Sequence, residues 1–464
     1  MLSIGKIHFE ISERKLILRL FDVLFVVTAL YAVGQFFVFD YFSVSSTNYY
    51  WTIVLAVYIN FFGTIFEMYN LQVASNQYQV LKSTLITASV TVLVYLLTPF
   101  FSPVLPTSRF QILLFFSLTF FSLYIWRILY VVFLASNRFY QNAILICDQN
   151  RVQDLIDGLE AIDPHYKIVG YVNVSAPTKE IESYKYVPEI NADDLLRFLQ
   201  ENKVSELVVA TPQNEGVDAG LYQNLLRVLE SGTVIKEYTQ VYENKTQRIP
   251  IPYMQKDFYR YFPFSRSNHN KLYLMVVRFF ELVIALVGIG MGLCFIPILL
   301  LGNCLANKGS LFYLQERVGK NGVVFQIIKF RTMIENAEKG GAVFTAANDY
   351  RVTTFGKFLR KTRIDEFPQF INILKGDMSV IGPRPERPVF VQEIGAVMPF
   401  YDTRHIIKPG LTGWAQVNYS YGNTIADSVI KLQYDLYYIK HRSIYLDLNI
   451  FFKTITTVLF YRGQ

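Results

Sequence analysis

Two acidic residues lie side by side in the stretch RIDEFPQF, which covers residues 363–370. Adjacent Asp365 and Glu366 repel each other unless a cation lies near both of them. A helix start is one explanation, because acids in the first turn meet the positive end of the helix dipole. The other is chemical: an ionised aspartate attacks without a general base, and Mg²⁺ is normally bound by one or two carboxylates plus substrate phosphates.

Basic residues crowd the polar segments around this pair, and several adjoin glycine or proline in RVGKNG, GPRP and KPG. A solvated basic surface is the usual interpretation, but turns rich in Gly and Pro fix where a side chain points. The planar arginine fork suits phosphate oxygens. An acid pair among these cations therefore predicts phosphoryl-transfer chemistry. The basic set is Arg317, Lys320, Lys329, Arg331, Arg360, Lys361, Arg363, Arg384 and Arg387.

The apolar residues around the acid pair have helical spacing. They recur at intervals of 3, 4 and 3, which is one face of a helix, at Ile364, Phe367, Ile371 and Leu374. Pro368 is tolerated only in the first turn, so this helix is predicted to begin near Ile364 with the acid pair at its N-terminus. There, one carboxylate can face a phosphorus atom while its neighbour holds a metal.

The chain is too apolar for an ordinary soluble enzyme. Of its 464 residues 52% are hydrophobic and 16% aromatic, and the formal charge of +7 is spread along the chain. That spread favours an anionic membrane surface or phosphorylated substrates over nucleic acid. Four apolar stretches approach the roughly 20 residues that cross a bilayer, and we predict a membrane helix in each. They cover about 16–39, 51–69, 84–101 and 110–134.

The basic residues flanking these stretches predict their orientation. Four basic residues precede or begin the first stretch: Lys6, Arg14, Lys15 and Arg19. The loop after it, DYFSVSSTNYY, contains no basic residue. Two more basic residues, Arg127 and Arg138, mark the exit of the fourth stretch. The positive-inside rule places the N-terminus and everything after residue 135 in the cytoplasm. The first apolar run is too long for a cleavable signal. The cysteines have neither paired nor metal-ligand spacing and are expected to be reduced: Cys147, Cys294 and Cys304.

Residues 139–265 alternate between strand and helix patterns. NAILIC, KIVGYVN and VSELVVAT are typical of buried strands, while VQDLIDGLEAI and DDLLRFLQENK are helical in spacing. This order predicts a small parallel α/β sheet. The first strand leads into DQNRVQD, which lacks the glycines of a dinucleotide site, so a bound nucleotide is not expected. A spacer, regulatory or oligomerisation role fits better.

The last part of the chain opens with an apolar run, and Leu282 to Leu301 is long enough for a fifth crossing. Pro297 removes a backbone donor late in this helix and is expected to kink or break it. A full crossing would also place the following residues outside, away from cytoplasmic nucleotides. We therefore predict a re-entrant helix over about 275–303, with its break at Pro297.

Four motifs carry a family resemblance over about 270–464: ERVG, IKFRTM, IDEFPQFINILKGDMSVIGPRPE and KPGLTGWAQVN. They resemble the monotopic phosphoglycosyl transferases, and the whole layout resembles the large bacterial polyprenyl glycosylphosphotransferases. The resemblance implies a membrane protein of α plus α/β class in three parts. These are a four-helix transmembrane bundle (1–138), a Rossmann-like α/β domain (139–265) and a helix-rich monotopic catalytic domain with a re-entrant membrane helix (270–464).

The resemblance also implies a two-step reaction at the cytoplasmic face of the bacterial inner membrane. Asp365 would attack the sugar-bearing phosphate of a UDP-sugar, releasing UMP, and undecaprenyl phosphate would then accept the sugar phosphate. Glu366, with Asp365 beside it, would bind Mg²⁺. Lys329, Arg331, Arg360 and Arg384 fall within family motifs and would bind phosphate, and we add Arg317 and Arg363 to them. Expected partners are the UDP-sugar, undecaprenyl phosphate, membrane lipid and a second copy of the chain, and no nucleic acid.

Two alternatives remain open at this point. A non-catalytic membrane scaffold would use the α/β domain to recruit glycan-assembly proteins. An enzyme with a different mechanism would let the polyprenyl phosphate attack the donor directly, with Asp365 as the base. The sequence does not identify the sugar.

Overall fold

The computed structural model describes residues 11–36, 39, 41–43, 47–69, 77–106, 108–134, 141–160, 163, 166–174, 187–202, 204–210, 219–251, 268, 270–307, 309–335, 337, 349–398, 400–419, 422 and 424–459. Lys6 and Arg138 lie outside these residues, as does most of the end of the predicted α/β domain. The chain forms two compact units, Met1–Thr246 and Gln247–Gln464.

The first unit begins with helices at the predicted apolar stretches. They are α1 (Ile11–Phe36), α2 (Tyr49–Ile65), α3 (Gln77–Leu96) and α4 (Arg109–Leu129), followed by a π-helical turn at Tyr130–Leu134. Within the described residues of this unit, α1, α3 and α4 are long and apolar enough to cross a membrane, whereas α2 has 17 residues. A fourth helix that is long and apolar enough, Lys271–Ala306, lies in the second unit. α1 packs on α2 and α4, and α3 packs on the same two helices. Length and composition identify a membrane protein, as predicted.

A buried ion pair joins α1 to α4 inside this bundle. Asp22 accepts a hydrogen bond from Arg127 at 2.5 Å, and both side chains are almost fully buried. Arg127 also donates to the carbonyl of Met68 at 2.9 Å. Arg127 is one of the residues that mark the exit of the fourth apolar stretch, but its charge is largely compensated by Asp22. The pair thus joins α1 to α4 inside the bundle.

The rest of the first unit is a four-stranded parallel sheet with helices. Its strands are β1 (Gln141–Cys147), β2 (Tyr166–Asn173), β3 (Glu206–Val209) and β4 (Val234–Glu237), in the order β2-β1-β3-β4. The helices are α5 (Val152–Glu160), α6 (Leu195–Glu201), α7 (Ala219–Glu230) and α8 (Tyr238–Thr246). The predicted parallel sheet is confirmed, and β4 adds a strand that had not been predicted.

The second unit is organised along one 36-residue helix, α9 (Lys271–Ala306). The helix continues through Pro297 and does not end there, so the predicted break is not a change of secondary structure. One stripe of α9 is buried, at Glu281, Ala285, Gly288, Gly292 and Leu299. Gly288 in this stripe lets an aromatic ring pack closely on the helix, because a Cβ there would lie 2.4 Å from the Phe370 ring.

The remaining elements of the second unit are short. A hairpin of β5 (Phe312–Val318) and β6 (Val324–Phe330) precedes α10 (Thr354–Lys361). Strands β7 (Ser379–Ile381) and β8 (Gly410–Thr412) pair in parallel. The main core lies under α12 (Pro388–Val397), α13 (Trp414–Asn418), α14 (Ile425–His441) and α15 (Ile444–Leu459). All three cysteines are free.

The helix predicted to begin at Ile364 is divided in two, and this prediction was wrong in that respect. Residues Ile364–Glu366 form a 3₁₀ turn, and helix α11 spans Gln369–Lys375. Pro368, between them, has no N–H to donate to the carbonyl of Ile364, and Phe367 donates to it instead at 3.2 Å. The acid pair therefore precedes the α-helix.

The apolar face predicted for this segment is displaced for the same reason. A 3₁₀ turn advances about 120° per residue and an α-helix about 100°, so the turn changes the phase of the helical residues after it. The buried side chains of α11 are Gln369, Asn372 and Ile373, whereas Leu374 is 39% exposed.

Candidate active site

The acid pair is presented by a sharp turn after α10. Arg363 has φ 59° and ψ 14°, a left-handed conformation that residues other than glycine rarely adopt. Its carbonyl accepts a hydrogen bond from the backbone N–H of Glu366 at 3.2 Å. Backbone conformations of this kind are concentrated at functional sites. The turn places Asp365 and Glu366 between the end of α10 and the start of α11.

Three cations surround the carboxylate of Glu366. Its Oε1 lies 3.0 Å from Nη2 of Arg384, 3.7 Å from Nζ of Lys329 and 3.7 Å from Nη1 of Arg363. Burial by itself raises the pKa of Glu366, but Arg384, Lys329 and Arg363 outweigh it and hold this pKa well below its usual range. Glu366 is therefore ionised at neutral pH and compensates part of the positive charge.

Asp365 has a different environment although it is the adjacent residue. Its side chain is buried, and Oδ1 has no hydrogen-bond partner. Burial and the neighbouring charge of Glu366 raise the pKa of Asp365 to about 6, although Lys329, Arg360 and Arg363 act in the opposite direction. Buried polar atoms are nearly always paired, so an unpaired carboxylate oxygen marks a place where a ligand atom is expected.

Two further predicted residues lie close to this site. Arg360, in the last turn of α10, adds to the positive field at Asp365 and donates to Oγ1 of Thr332 at 2.9 Å. Arg317, in β5, donates to the carbonyl of Pro385 at 2.9 Å and lies 3.5 Å from Glu386. Arg317 is thereby tied to the loop that carries Arg384. Lys329, Arg360, Arg363 and Arg384 are thus gathered around the acid pair.

Arg331 points elsewhere. Its guanidinium donates to the carbonyls of Ser310, at 2.7 Å, and Asn307, and to Oδ1 of Asn303 at 3.3 Å. These contacts tie the end of α9 to the start of the hairpin, and none of them is with the acid pair. A phosphate-binding role for Arg331 stays a prediction, while its structural role is visible.

Comparisons with known proteins agree with this architecture. Residues 272–461 match the family model described as bacterial sugar transferase, and residues 64–226 match one described as CoA-binding domain. The putative undecaprenyl-phosphate N-acetylgalactosaminyl 1-phosphate transferase of Bacillus subtilis is 45% identical over 141 residues, which is 30% of this chain and 79% of that protein. The chain belongs to the bacterial sugar transferase family.

Two longer relatives show how far the similarity extends. The UDP-N-acetylgalactosamine-undecaprenyl-phosphate N-acetylgalactosaminephosphotransferase of Aeromonas hydrophila is 38% identical over 257 residues, 55% of this chain and 59% of that protein. The UDP-glucose:undecaprenyl-phosphate glucose-1-phosphate transferase of Xanthomonas campestris is 30% identical over 311 residues, 63% of this chain and 61% of that protein. The matched segments thus span less than two thirds of both relatives, whose names specify different sugars.

Sequence reasoning missed the buried pair that supports Arg384 in this bacterial sugar transferase. Arg404 donates to the carbonyl of Arg384 at 2.9 Å and to Oδ2 of Asp435 at 2.8 Å. Both Arg404 and Asp435 are buried. A single acid within QYDLYY, an otherwise largely apolar stretch, was a signal of a buried partner, but nothing in the sequence indicated a partner 31 residues away.

The acid pair also fits the magnesium ion that the resemblance implies. Asp365 and Glu366 supply hard carboxylate oxygens side by side, and Oδ1 of Asp365 has no other partner. Across the described parts of the transferase there is no group of three or more His, Cys, Asp or Glu side chains arranged to hold a metal. A metal at the acid pair would therefore take its remaining ligands from water or substrate phosphates, which is the usual mode of Mg²⁺.

Proposed function

We propose that the protein transfers a sugar 1-phosphate from a UDP-sugar to undecaprenyl phosphate. In the first step an oxygen of Asp365 attacks the phosphorus next to the sugar. The bond from that phosphorus to the bridging oxygen breaks, and UMP leaves with the bond's electron pair. The sugar 1-phosphate is then held on Asp365 as an acyl phosphate. The observation that carries this proposal is the unpaired, buried oxygen of Asp365 beside an ionised acid and a group of cations.

In the second step an oxygen of the undecaprenyl phosphate attacks the same phosphorus. The acyl phosphate bond breaks, the carboxylate of Asp365 is regenerated, and undecaprenyl-diphospho-sugar is released. This would be the first membrane step in assembling an exopolysaccharide, a capsule or an O-antigen. The two steps are chemically similar, because in each of them one oxyanion attacks phosphorus and another oxyanion leaves.

The cations hold the phosphates in this scheme. Lys329, Arg363 and Arg384 are grouped on one carboxylate, Glu366, so a diphosphate entering the site meets positive charge that is already oriented. Arg360 adds positive charge at Asp365, Arg317 adds it near Lys329, and Arg331 remains a proposed phosphate ligand. Mg²⁺, when bound through Glu366 and Asp365, supplies charge neutralisation for the diphosphate and for the departing UMP.

A direct assay tests the activity. Purified full-length protein with Mg²⁺, undecaprenyl phosphate and each of a series of UDP-sugars is expected to release UMP with at least one donor. The Asp365→Asn protein is the matched negative control. Absence of UMP with every donor would favour the non-catalytic scaffold. Formation of UMP and lipid-linked sugar without a protein-bound sugar phosphate would favour direct attack with Asp365 as the base.

We place this reaction at the cytoplasmic face of the bacterial inner membrane. In this proposal residues 1–138 form the membrane bundle, residues 139–265 a Rossmann-like domain, and residues 270–464 the catalytic domain. The parallel order β2-β1-β3-β4 supports the Rossmann-like assignment. We propose a regulatory or oligomerisation role for that domain and a homodimer for the protein.

We propose that α9 enters the membrane and returns to the same face. A helix of 36 residues is about 54 Å long, well beyond a hydrocarbon core of about 30 Å. Elements of the catalytic unit contact both of its ends. Near the start, Arg278 donates to the carbonyls of Ile373 and Leu374 at 2.8 and 2.9 Å, and at the end Asn307 donates to the carbonyl of Arg331 at 2.8 Å. A transverse crossing would separate these contacts by a bilayer.

Single-cysteine labelling tests this topology. In a chain freed of its three native cysteines, Asn150→Cys and Lys320→Cys place thiols at exposed positions of the two units. An impermeant maleimide is expected to label both in inverted vesicles and neither in spheroplasts, and Thr47→Cys serves as the external control. Opposite labelling of positions 150 and 320 would mean that α9 crosses the membrane.

A further inference from the structure

Gln369 is the first residue of α11, and its side-chain amide is buried with no hydrogen bond donated by Nε2. The side chain is 3% exposed, and Nε2 is a fully buried donor that has no partner. Leaving such a donor unpaired is unfavourable, and native proteins rarely keep one unless it has another role. A hydrocarbon side chain of similar size would fill the same space without this penalty.

Asn372, about one turn further along α11, is a buried amide whose hydrogen bonds stabilise the fold. Asn372 is equally buried, but its Nδ2 donates to the carbonyl of Gln326 at 2.7 Å. Its Oδ1 accepts from the backbone N–H of Ile328 at 3.0 Å. Asn372 thus ties α11 to β6 with both ends of its amide. Gln369 lies on the same side of the helix, and its Nε2 makes no comparable contact.

Gln369 also lies about one turn after Asp365. Phe367 and Pro368, between them, both have right-handed helical backbone angles, so the chain makes about one turn from Asp365 to Gln369 and the two residues remain neighbours. Asp365 contributes a buried, unpaired acceptor and Gln369 a buried, unpaired donor. The two atoms do not satisfy each other. A third group that offers an electrophilic atom to one and an oxygen to the other would satisfy both.

We propose that Gln369 is a further catalytic residue, whose Nε2 donates a hydrogen bond to a non-bridging oxygen of the phosphoryl group that Asp365 attacks. The inference rests on the proposed function and adds a neutral donor to the charged groups around Glu366. A phosphoryl group has this combination of phosphorus and oxygens. The donor is fixed in a water-poor position before the substrate arrives, which is the arrangement that stabilises charge in a transition state.

Gln369→Met is the primary test, because methionine is similar in length and carries no polar amide. We expect kcat for UMP release to fall roughly 10²-fold, as for the loss of one preorganised donor. The melting temperature should be unchanged or higher, because an unpaired buried donor has been removed. Asn372→Leu is the matched control for stability, and it should lower the melting temperature because it removes the hydrogen bonds of Asn372 with Gln326, Ile328 and Asp377. A melting temperature that falls as far in Gln369→Met as in Asn372→Leu would assign Gln369 to the fold and overturn the proposal.

Donors with sulfur in place of a non-bridging oxygen test the proposed hydrogen bond from Gln369 directly. UDP-sugar diastereomers with sulfur at one non-bridging position next to the sugar should be slower substrates, because sulfur accepts a hydrogen bond poorly. For one diastereomer this slowing should be several-fold smaller in Gln369→Met than in the wild type. An equal thio effect in both proteins would show that Gln369 does not contact that phosphate.

The Gln369→Glu variant distinguishes a role of Gln369 as a hydrogen-bond donor from a role as a magnesium ligand. At a pH high enough to ionise the new carboxyl group it has no proton to donate, so we expect activity there at or below that of Gln369→Met, whereas a magnesium ligand would tolerate the change. A Gln369→Glu protein that stays active at that pH, or a kcat for Gln369→Met within about threefold of an active wild type, overturns the inference alone. A wild type that releases no UMP overturns the proposed function and this inference together.

Discussion

Asp365→Asn is expected to reduce UMP release by on the order of 10³-fold or more, because the amide has no anionic oxygen to attack phosphorus. With a UDP-sugar carrying radiolabel in its β-phosphate, the wild type should retain label on the protein when undecaprenyl phosphate is withheld. The Asp365→Asn protein should retain none. The loss is expected to be one of chemistry, with donor binding largely preserved.

Stability distinguishes this result from misfolding. Burial and the charge of Glu366 both raise the pKa of Asp365, so its ionised form opposes folding. The neutral substitution should therefore leave the melting temperature unchanged or higher. Asp377→Asn is a control in the same segment, and it should keep both turnover and the labelled intermediate. Retention of label by the Asp365→Asn protein would refute the nucleophile assignment.

Glu366→Gln is expected to lower turnover roughly 10²-fold and to raise the Mg²⁺ concentration needed for half-maximal rate. The amide is a poorer magnesium ligand and also leaves Lys329, Arg363 and Arg384 without the acid that compensates them. Removing one member of a partly buried ion cluster leaves like charges facing each other. The melting temperature should therefore fall, unlike that of Asp365→Asn.

A neighbouring ion pair provides the control for the second result. Glu386→Gln removes the acid paired with Arg317 in the same region but leaves the three cations of Glu366 in place. Its magnesium dependence should match that of the wild type. An unchanged rate and unchanged Mg²⁺ dependence in Glu366→Gln would show that the second acid neither binds the metal nor orients the phosphates. The two substitutions should change the melting temperature in opposite directions although the acids are adjacent, because Asp365 and Glu366 have different environments.

Part of the site could be predicted from local sequence. Asp365 and Glu366 are adjacent in the chain, the basic residues Arg360, Lys361 and Arg363 lie within five residues of Asp365, and these residue types restrict the chemistry they can perform. The division of the predicted helix could not be predicted in the same way. Pro368 permits either a first turn of α-helix or a 3₁₀ turn before one, and tertiary packing selects between them. That choice decided which side chains of α11 are buried.

The sequence by itself determined the apolar helices and the parallel sheet, and it showed the acid pair with basic residues near it, because these depend on periodicity and residue type over short distances. Only the tertiary structure decided which charged groups contact one another and which polar atoms stay unpaired. It placed Lys329 and Arg384 on Glu366 across a long stretch of chain, directed Arg331 to the end of α9, and left the oxygen of Asp365 and the amide nitrogen of Gln369 unpaired. The physical reason is that pairing and burial depend on contacts between distant segments, which spacing along the chain does not encode.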